Sequence, residues 1–244
     1  MKSFITYQLR FFASLFGKVY FEEVIIHFGR FARMNLLPTI GTSVPFAIII
    51  AFHAWTALEL FGVQRFLSGA VSLVMFREVA PVISALIITA VSGTAIASEI
   101  ALMKLRGEFT YLEVIGVSPM RFVVVPRVIA ISFVCPAIFS VISITSIAGI
   151  FVYLVHIKGM AQGTFDEMWN IISIYDVVGG LTKSFIFGFI IGNISGFLGF
   201  TAEESSEGVG RASSISVVVN SLVFIIVNVI LSYLIFGGVT PELR

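Results

Sequence analysis

Five long runs of apolar residues, separated by charged segments, dominate the pattern of the chain. Each reaches the ~20 residues that a helix needs to cross the hydrocarbon core of a bilayer. Lipid offers no water to the backbone, so a spanning segment must satisfy its own hydrogen bonds and forms a helix. We therefore predict an all-α integral membrane protein with about five transmembrane helices. The predicted spans are 35–58, 79–98, 128–155, 177–202 and 212–236.

The remaining segments complete this prediction. Residues 1–34 combine bulky apolar side chains with cations, which is typical of a helix lying in the membrane interface. Residues 35–241 then form the membrane domain. The apolar run 66–76 is too short to span, so it either lies at the interface or extends the second helix. The cations assigned to anionic headgroups are Lys2, Arg10, Lys18 and Arg30.

The composition agrees with the prediction of a membrane protein and limits the kinds of partner that the chain is expected to bind. Hydrophobic residues make up 58% of the 244 residues and charged residues 12%. Mean hydropathy is +1.05. The formal net charge is only +1, so we expect no nucleic acid or other polyanion to bind. The single cysteine, Cys135, excludes an intrachain disulfide.

Basic residues are distributed unevenly between the two sides of the predicted bundle. Segments 1–34, 99–127 and 203–211 hold ten Lys and Arg residues. The opposite segments, 59–78, 156–176 and 242–244, hold four. Cytoplasmic loops carry the excess of positive charge. The N-terminus should therefore be cytoplasmic and the C-terminus should lie on the opposite side of the membrane.

Two ridges of small residues run along the second and fourth predicted spans. A spacing of four places such residues on one helix face, where another backbone can approach closely. They serve helix packing within one subunit, or a contact between subunits, or a smooth wall along a lipid path. The ridges are Ala85, Thr89, Gly93, Ala97 and Ala101, then Ser184, Gly188, Gly192 and Gly196.

Polar side chains inside apolar spans are costly and therefore informative. Such a side chain either makes an interhelical hydrogen bond or reaches to the membrane surface by snorkelling. The functional alternative is a polar contact to a lipid headgroup, or a role as a gate. The candidates are His53, Lys183, Asn193, Asn220 and Asn228. Arg77 and Glu78 precede the second span, where we expect an anchoring pair at the outer interface. No Asp or Glu lies within the predicted spans, which argues against a coupled secondary transporter.

Catalytic motifs were not found. Residues 179–184 contain Lys-Ser but lack the glycine that precedes the lysine of a P-loop. Ser43 and His53 are ten residues apart, roughly 15 Å along one helix, too far for a nucleophile–base hydrogen bond. We therefore expect no enzymatic activity, and no cofactor, catalytic group or metal site on this chain.

The segment 99–127 mixes charges with apolar residues on the predicted cytoplasmic side. A short amphipathic helix, stopped by the Gly-Val-Ser-Pro sequence at 116–119, fits this pattern. Such a helix has one face for the membrane domain and one for a cytoplasmic partner; the plainer alternative is an ordinary loop. The candidate docking residues are Glu99, Met103, Lys104, Arg106, Glu108, Glu113, Gly116 and Pro119.

Several ordered motifs resemble those of the MlaE/YrbE permease family, and the resemblance covers about residues 35–238. They are REVAPV at 77–82, SEIALM at 98–103, LEVIGVSP at 112–119, PR at 126–127 and GVGRA at 208–212. The departures from the family pattern cluster at 106–111. These departures bear on which ABC ATPase partner the segment would recognise.

The resemblance implies the permease subunit of an MCE-type lipid ABC transporter in the inner membrane. It implies a homodimer, two ABC ATPase subunits that bind ATP and Mg²⁺ and receive 99–127 as a coupling helix, and a hexameric periplasmic MCE-domain protein. Residues 35–241 would form the permease domain, and phospholipid or a related lipid would be the substrate.

Two alternatives stay open. In the first, the substrate is another hydrophobic molecule, such as a sterol or hopanoid. In the second, the chain is a membrane scaffold that recruits an ATPase and an MCE protein without forming the lipid path.

Overall fold

The computed structural model describes residues 2–16 and 19–237, and the side chains from residue 4 onward in these ranges. In this part of the chain every regular element is a helix. The helices are α1 Lys2–Leu15, α2 Phe21–Glu59, α3 Gln64–Leu105, α4 Glu108–Val114, α5 Met120–Ile157, α6 Gln162–Asp166, α7 Met168–Ile171, α8 Ile174–Phe200 and α9 Ser206–Phe236.

Five of these helices, α2, α3, α5, α8 and α9, are long and apolar enough to cross a membrane. This confirms the prediction of an all-α integral membrane protein with five spans. The helices extend beyond the apolar runs because a helix continues into flanking polar sequence as long as its backbone bonds form. They therefore include acidic residues, among them Glu78 and Glu99 of α3, that the sequence prediction left outside the spans.

The N-terminal boundary differs from the prediction. Residues 1–34 were expected to form one interfacial segment, but only α1 is separate, and α2 already begins at Phe21. Glu22 and Glu23 occupy the first turn of α2, where negative charge interacts favourably with the helix dipole. The placement of α1 in the interface remains a prediction, and Lys18 lies outside the described residues.

Helix α3 resolves the ambiguity of the run 66–76, which extends the second helix. Two π-helical turns, Met75–Val79 and Thr89–Gly93, interrupt α3. Such a turn inserts an extra residue and breaks the regular hydrogen-bond ladder, so a carbonyl oxygen becomes available to a side chain. Both turns accept such bonds, from Lys183 at Arg77 and from Ser216 at Gly93.

The chain divides into two compact units, and each long helix contributes to both. The first comprises residues 1–35, 85–135 and 185–227. In this unit the glycine ridge of α8 packs against α5. A Cβ at Gly188 would lie 2.6 Å from the Ile131 carbonyl oxygen, and one at Gly192 would lie 2.6 Å from the Ile131 Cγ2. The ridge thus serves close packing of helices within the chain.

Of the described residues, the second unit comprises 36–84, 136–184 and 228–237. Its core is built from the apolar side chains of α2, α3 and α5 and of the short helices α6 and α7. The buried members include Ala47, Leu67, Met75, Leu154, Phe165 and Met168. The small helices α6 and α7 therefore pack on the membrane helices, α6 through Phe165 and α7 through Met168 and also Ile171, whose side chain lies against Gly69 of α3.

Candidate functional site

The predicted coupling element consists of a short helix between two glycine turns. Gly107, with φ 74°, precedes α4, and Gly116, with φ 79°, follows it. Both conformations are left-handed, a region that glycine enters at little cost. The expected short helix and its Gly-Val-Ser-Pro stop are present. Residues 99–105, however, belong to the end of α3, and 120–127 to the start of α5, so we restrict the name docking segment to 106–119.

The docking segment is accessible along its length. No residue of α4 is buried. Three large apolar side chains are mostly exposed: Tyr111 by 72%, Val114 by 79% and Ile115 by 71%. The predicted docking residues of this segment are also accessible, with Arg106 3.9 Å from Glu108, except that Pro119 is buried. Exposed apolar side chains rimmed by charges are typical of a protein interaction surface.

The other three predicted docking residues make contacts inside the chain. The Glu99 carboxylate accepts hydrogen bonds from the Arg30 guanidinium and lies 3.7 Å from Arg127 Nε. Met103 Sδ lies 3.8 Å from Arg127 Nη2. Lys104 Nζ donates to the Ala202 carbonyl oxygen at 2.8 Å. These side chains connect the end of α3 to neighbouring elements.

We call Arg30, Glu99 and Arg127 the Glu99 cluster. Arg127 is buried, and its Nη1 donates to the Val123 carbonyl oxygen at 2.7 Å. Arg30 pairs with Glu99, and its predicted contact with lipid headgroups stays a prediction. The reason is geometric, because α2 begins early enough to place Arg30 on a face directed towards α3. Sequence spacing gives no sign of this pairing between distant segments.

A second polar group lies in the other unit and centres on Glu78. Its Oε2 accepts hydrogen bonds from Lys183 Nζ at 3.1 Å, Asn228 Nδ2 at 3.1 Å and Ser232 Oγ at 2.9 Å. Lys183 is fully buried and also donates to the Arg77 carbonyl oxygen and to Ser232 Oγ, each at 2.8 Å. We call these four side chains the membrane cluster.

Arg77 belongs to an adjoining ion pair. Its Nε donates to Asp176 Oδ1 at 2.6 Å, and the Phe236 ring lies 5.0 Å from the guanidinium carbon. Asp176 is 1% exposed, and its Oδ2 accepts the Ser173 backbone N–H at 2.8 Å. Arg77 and Glu78 therefore do not bond each other, and their role as an anchoring pair at the outer interface stays a prediction. Consecutive residues on a helix point in different directions, so each meets its own partner.

Sequence analysis missed Asp176 and Ser232. Asp176 was assigned to the loop before the fourth span, but α8 already begins at Ile174. A signal was present, because Asp176 and Lys183 are seven residues apart and so share a helix face. Ser232 lies four residues after Asn228, on the same face of α9, and the same periodicity would have linked them.

The remaining polar candidates lie apart from the membrane cluster. Asn220 Nδ2 donates to Ser195 Oγ at 2.9 Å, an interhelical hydrogen bond inside the first unit. Asn193 exchanges side-chain hydrogen bonds with Gln8, and its backbone carbonyl accepts from the Tyr7 hydroxyl at 3.4 Å. Burial raises the pKa of this phenol above its ordinary value. His53 is exposed, with its ring 5.2 Å from that of Phe52.

Comparison with known proteins covers almost the whole chain. The family model described as Permease MlaE matches residues 24–234. A probable ABC transporter permease of Rickettsia typhi is 29% identical over 84% of this chain and 80% of its own length. A probable ABC transporter permease of Synechocystis sp. is 30% identical over 88% of each chain. The intermembrane phospholipid transport system permease protein MlaE of Haemophilus influenzae is 28% identical, over 93% of this chain and 89% of that protein. The family match includes both the docking segment and the membrane cluster.

Proposed function

Because this chain belongs to the MlaE permease family and is a multi-pass ABC transporter permease, we propose that it moves phospholipid between the inner membrane and a periplasmic MCE-domain protein. A separate ATPase supplies the energy. The name of the Haemophilus relative, an intermembrane phospholipid transport permease, supports this choice of substrate. The proposed assembly contains two copies of the permease, two ATPases and a hexameric MCE protein.

The observation that carries the proposal is the exposed apolar face of α4. Tyr111 and Val114 of α4, and Ile115 directly after it, present large side chains to solvent, and α4 contributes no buried residue to the fold. Aromatic and aliphatic groups surrounded by charges are the usual centre of a protein interface. We assign this face to the ATPase.

Force applied to α4 reaches the membrane helices through short connections. The Glu99 cluster connects the end of α3 to α2 and α5. Lys104, near the same end of α3, donates a hydrogen bond to the carbonyl oxygen of Ala202, just beyond α8. In the proposed cycle, ATP binding draws the two ATPases together, and the docking segment transmits their motion as a rigid body. A motion of this kind would change the width of an apolar lipid path.

The direct test is reconstitution of the permease with an ABC ATPase and an MCE-domain protein from the same organism. We expect ATP-dependent movement of a labelled phospholipid between vesicles and the MCE protein. Assembly without any lipid movement, and with turnover that lipid does not stimulate, would instead support a scaffold that only recruits partners. Movement of a labelled sterol but not of phospholipid would show that the substrate is a different lipid from the one proposed.

A substitution on α4 tests the docking face itself. Val114→Asp places a charge at the centre of the face, and we expect at least a tenfold loss of ATPase copurification. Val63→Asp, the same change between α2 and α3, is the matched control and should leave assembly intact. Equal ATPase recovery from both variants would remove α4 from the interface.

A further inference from the structure

Helix α1 carries three distinct faces. Tyr7, Phe11 and Ser14 form the first and are buried. The second consists of exposed apolar side chains at a helical spacing: Ile5, Leu9, Phe12 and Phe16. The third lies between the other two around the helix and contains Thr6, Arg10 and Ala13. An amphipathic helix with a buried face and a separate exposed apolar face fits a position beside lipid.

Helix α1 is held firmly against the rest of the first unit. The side-chain amides of Gln8 and Asn193 bond each other in both directions, at 2.5 and 3.3 Å. The Tyr7 ring packs edge-on against Phe197 with centroids 5.2 Å apart. Arg10 therefore projects from a fixed helix, one turn beyond these contacts.

Arg10 and Glu113 line one cavity and carry opposite charges. The cavity, of about 310 Å³, lies among α1, the docking segment and the start of α5, and Ser14, Ser118 and Phe200 also line it. Its volume is at the lower end of the ~300–1,000 Å³ typical of small-molecule sites. Across the described ranges, 2–16 and 19–237, neither Arg10 nor Glu113 makes an ion pair or a side-chain hydrogen bond. A second cavity, of about 210 Å³, is also lined by Arg10, together with Thr6 and Thr201.

We propose that this cavity binds the headgroup of a zwitterionic aminophospholipid. The Arg10 guanidinium would hold the phosphate, because its planar fork matches phosphate oxygens. The Glu113 carboxylate would hold the ammonium group, and the acyl chains would follow the exposed apolar face of α1. A zwitterionic headgroup supplies one charged group for each of these two side chains. The site adjoins the docking segment through Glu113.

The experiment measures lipid retention by native mass spectrometry of the purified full-length permease in mild detergent. Dioleoyl phosphatidylethanolamine and dioleoyl phosphatidylglycerol are titrated separately. The wild-type protein should retain the ethanolamine lipid more strongly. Arg10→Gln should lower retention of both lipids at least fivefold, and Arg10→Lys should lower it less. Glu113→Gln should abolish the preference for the ethanolamine lipid, since the anionic lipid no longer meets a carboxylate.

Arg33→Gln is the matched control, because Arg33 is an exposed arginine of the same unit that lines neither cavity. Retention by Arg10→Gln equal to that of this control would overturn the site. Displacement of the lipid by millimolar inorganic phosphate would show a simple phosphate site and would also overturn it.

ATPase copurification, measured on the same preparations, separates this inference from the proposed function. We expect Arg10→Gln to bind ATPase normally. Loss of ATPase binding with unchanged lipid retention would assign the cavity to the ATPase and overturn the lipid site. Loss of lipid retention with normal ATPase binding supports the site independently of whether the permease transports lipid.

Discussion

Two carboxylates of α3, Glu78 and Glu99, each join α3 to two other helices, but in different surroundings. Glu78 bonds Lys183 of α8, together with Asn228 and Ser232 of α9. Glu99 bonds Arg30 of α2 and lies near Arg127 of α5. The contrast lies in the cations, because the Lys183 side chain is 0% exposed and that of Arg30 is 44% exposed, whereas the carboxylates are 38% exposed for Glu78 and 23% for Glu99.

The different exposure of the Lys183 and Arg30 side chains determines how much the loss of each ion pair should cost. A charge that is removed from water has to be stabilised by its partners, so losing one partner is costly. An exposed charge returns to water when its partner is lost, and the cost is small. We therefore expect the membrane cluster to be essential for the stability of its unit. The pair between Arg30 and Glu99 should mainly orient the end of α3.

The largest effect is expected for Glu78→Leu. This change leaves the Lys183 ammonium buried without a counter-charge, at a cost of about 3–5 kcal/mol. Thermal unfolding in mild detergent should show a large fall in the midpoint. The double variant Glu78→Leu with Lys183→Met should recover most of the loss, because it removes both charges. A double variant no more stable than the single one would contradict the assigned role of the Lys183 charge.

An intermediate effect is expected for Asp176→Ala. The substitution removes the partner of Arg77 and the acceptor of the Ser173 N–H, and hydrogen bonds to a charged group contribute about 1.5–3 kcal/mol. Asp166→Ala is the matched control, since Asp166 is exposed in α6. The same unfolding measurement should show a lower midpoint for the Asp176 variant. Indistinguishable midpoints for the two would mean that the buried ion pair is not stabilising.

The smallest effect is expected for Arg30→Gln. A pair this exposed contributes about 0–1 kcal/mol, and salt screens it further. The difference in unfolding midpoint from the control Arg33→Gln should therefore be small in dilute buffer and smaller still in 1 M salt. A large loss that persists at high salt would place the Arg30–Glu99 pair in the same class as the membrane cluster.

The sequence predicted the helices well because membrane-spanning segments depend on a local property, the length of an apolar run. It also identified α4, since the glycine and proline signals that end a short helix are local as well. The partners of polar side chains were not predictable in this way. Lys183 and Asn228 were recognisable as unusual, but their common acceptor, Glu78, lies more than one hundred residues away along the chain.

The same limit explains the division among the predicted docking residues. Charges of the segment 99–127 look alike in sequence. Whether a given charged side chain faces a partner protein or the interior of this chain depends on the residue at which α3 ends. Glu99 and Lys104 precede that end and point to neighbouring helices, whereas Glu108 and Glu113 follow it on α4. A shift of the helix end by one turn would exchange these roles, and such boundaries are the least certain feature of a sequence prediction.

The glycine turns at Gly107 and Gly116 have an evolutionary consequence. They set the path of the backbone into and out of α4, in which no residue is buried and the Phe109 ring packs against Phe200. Mutations at the exposed positions of α4 can therefore accumulate with little penalty to folding, provided that the two glycines are retained. Paralogous transporters within one cell could diverge at this helix until each accepts only its own motor, while the membrane-embedded part stays almost unchanged.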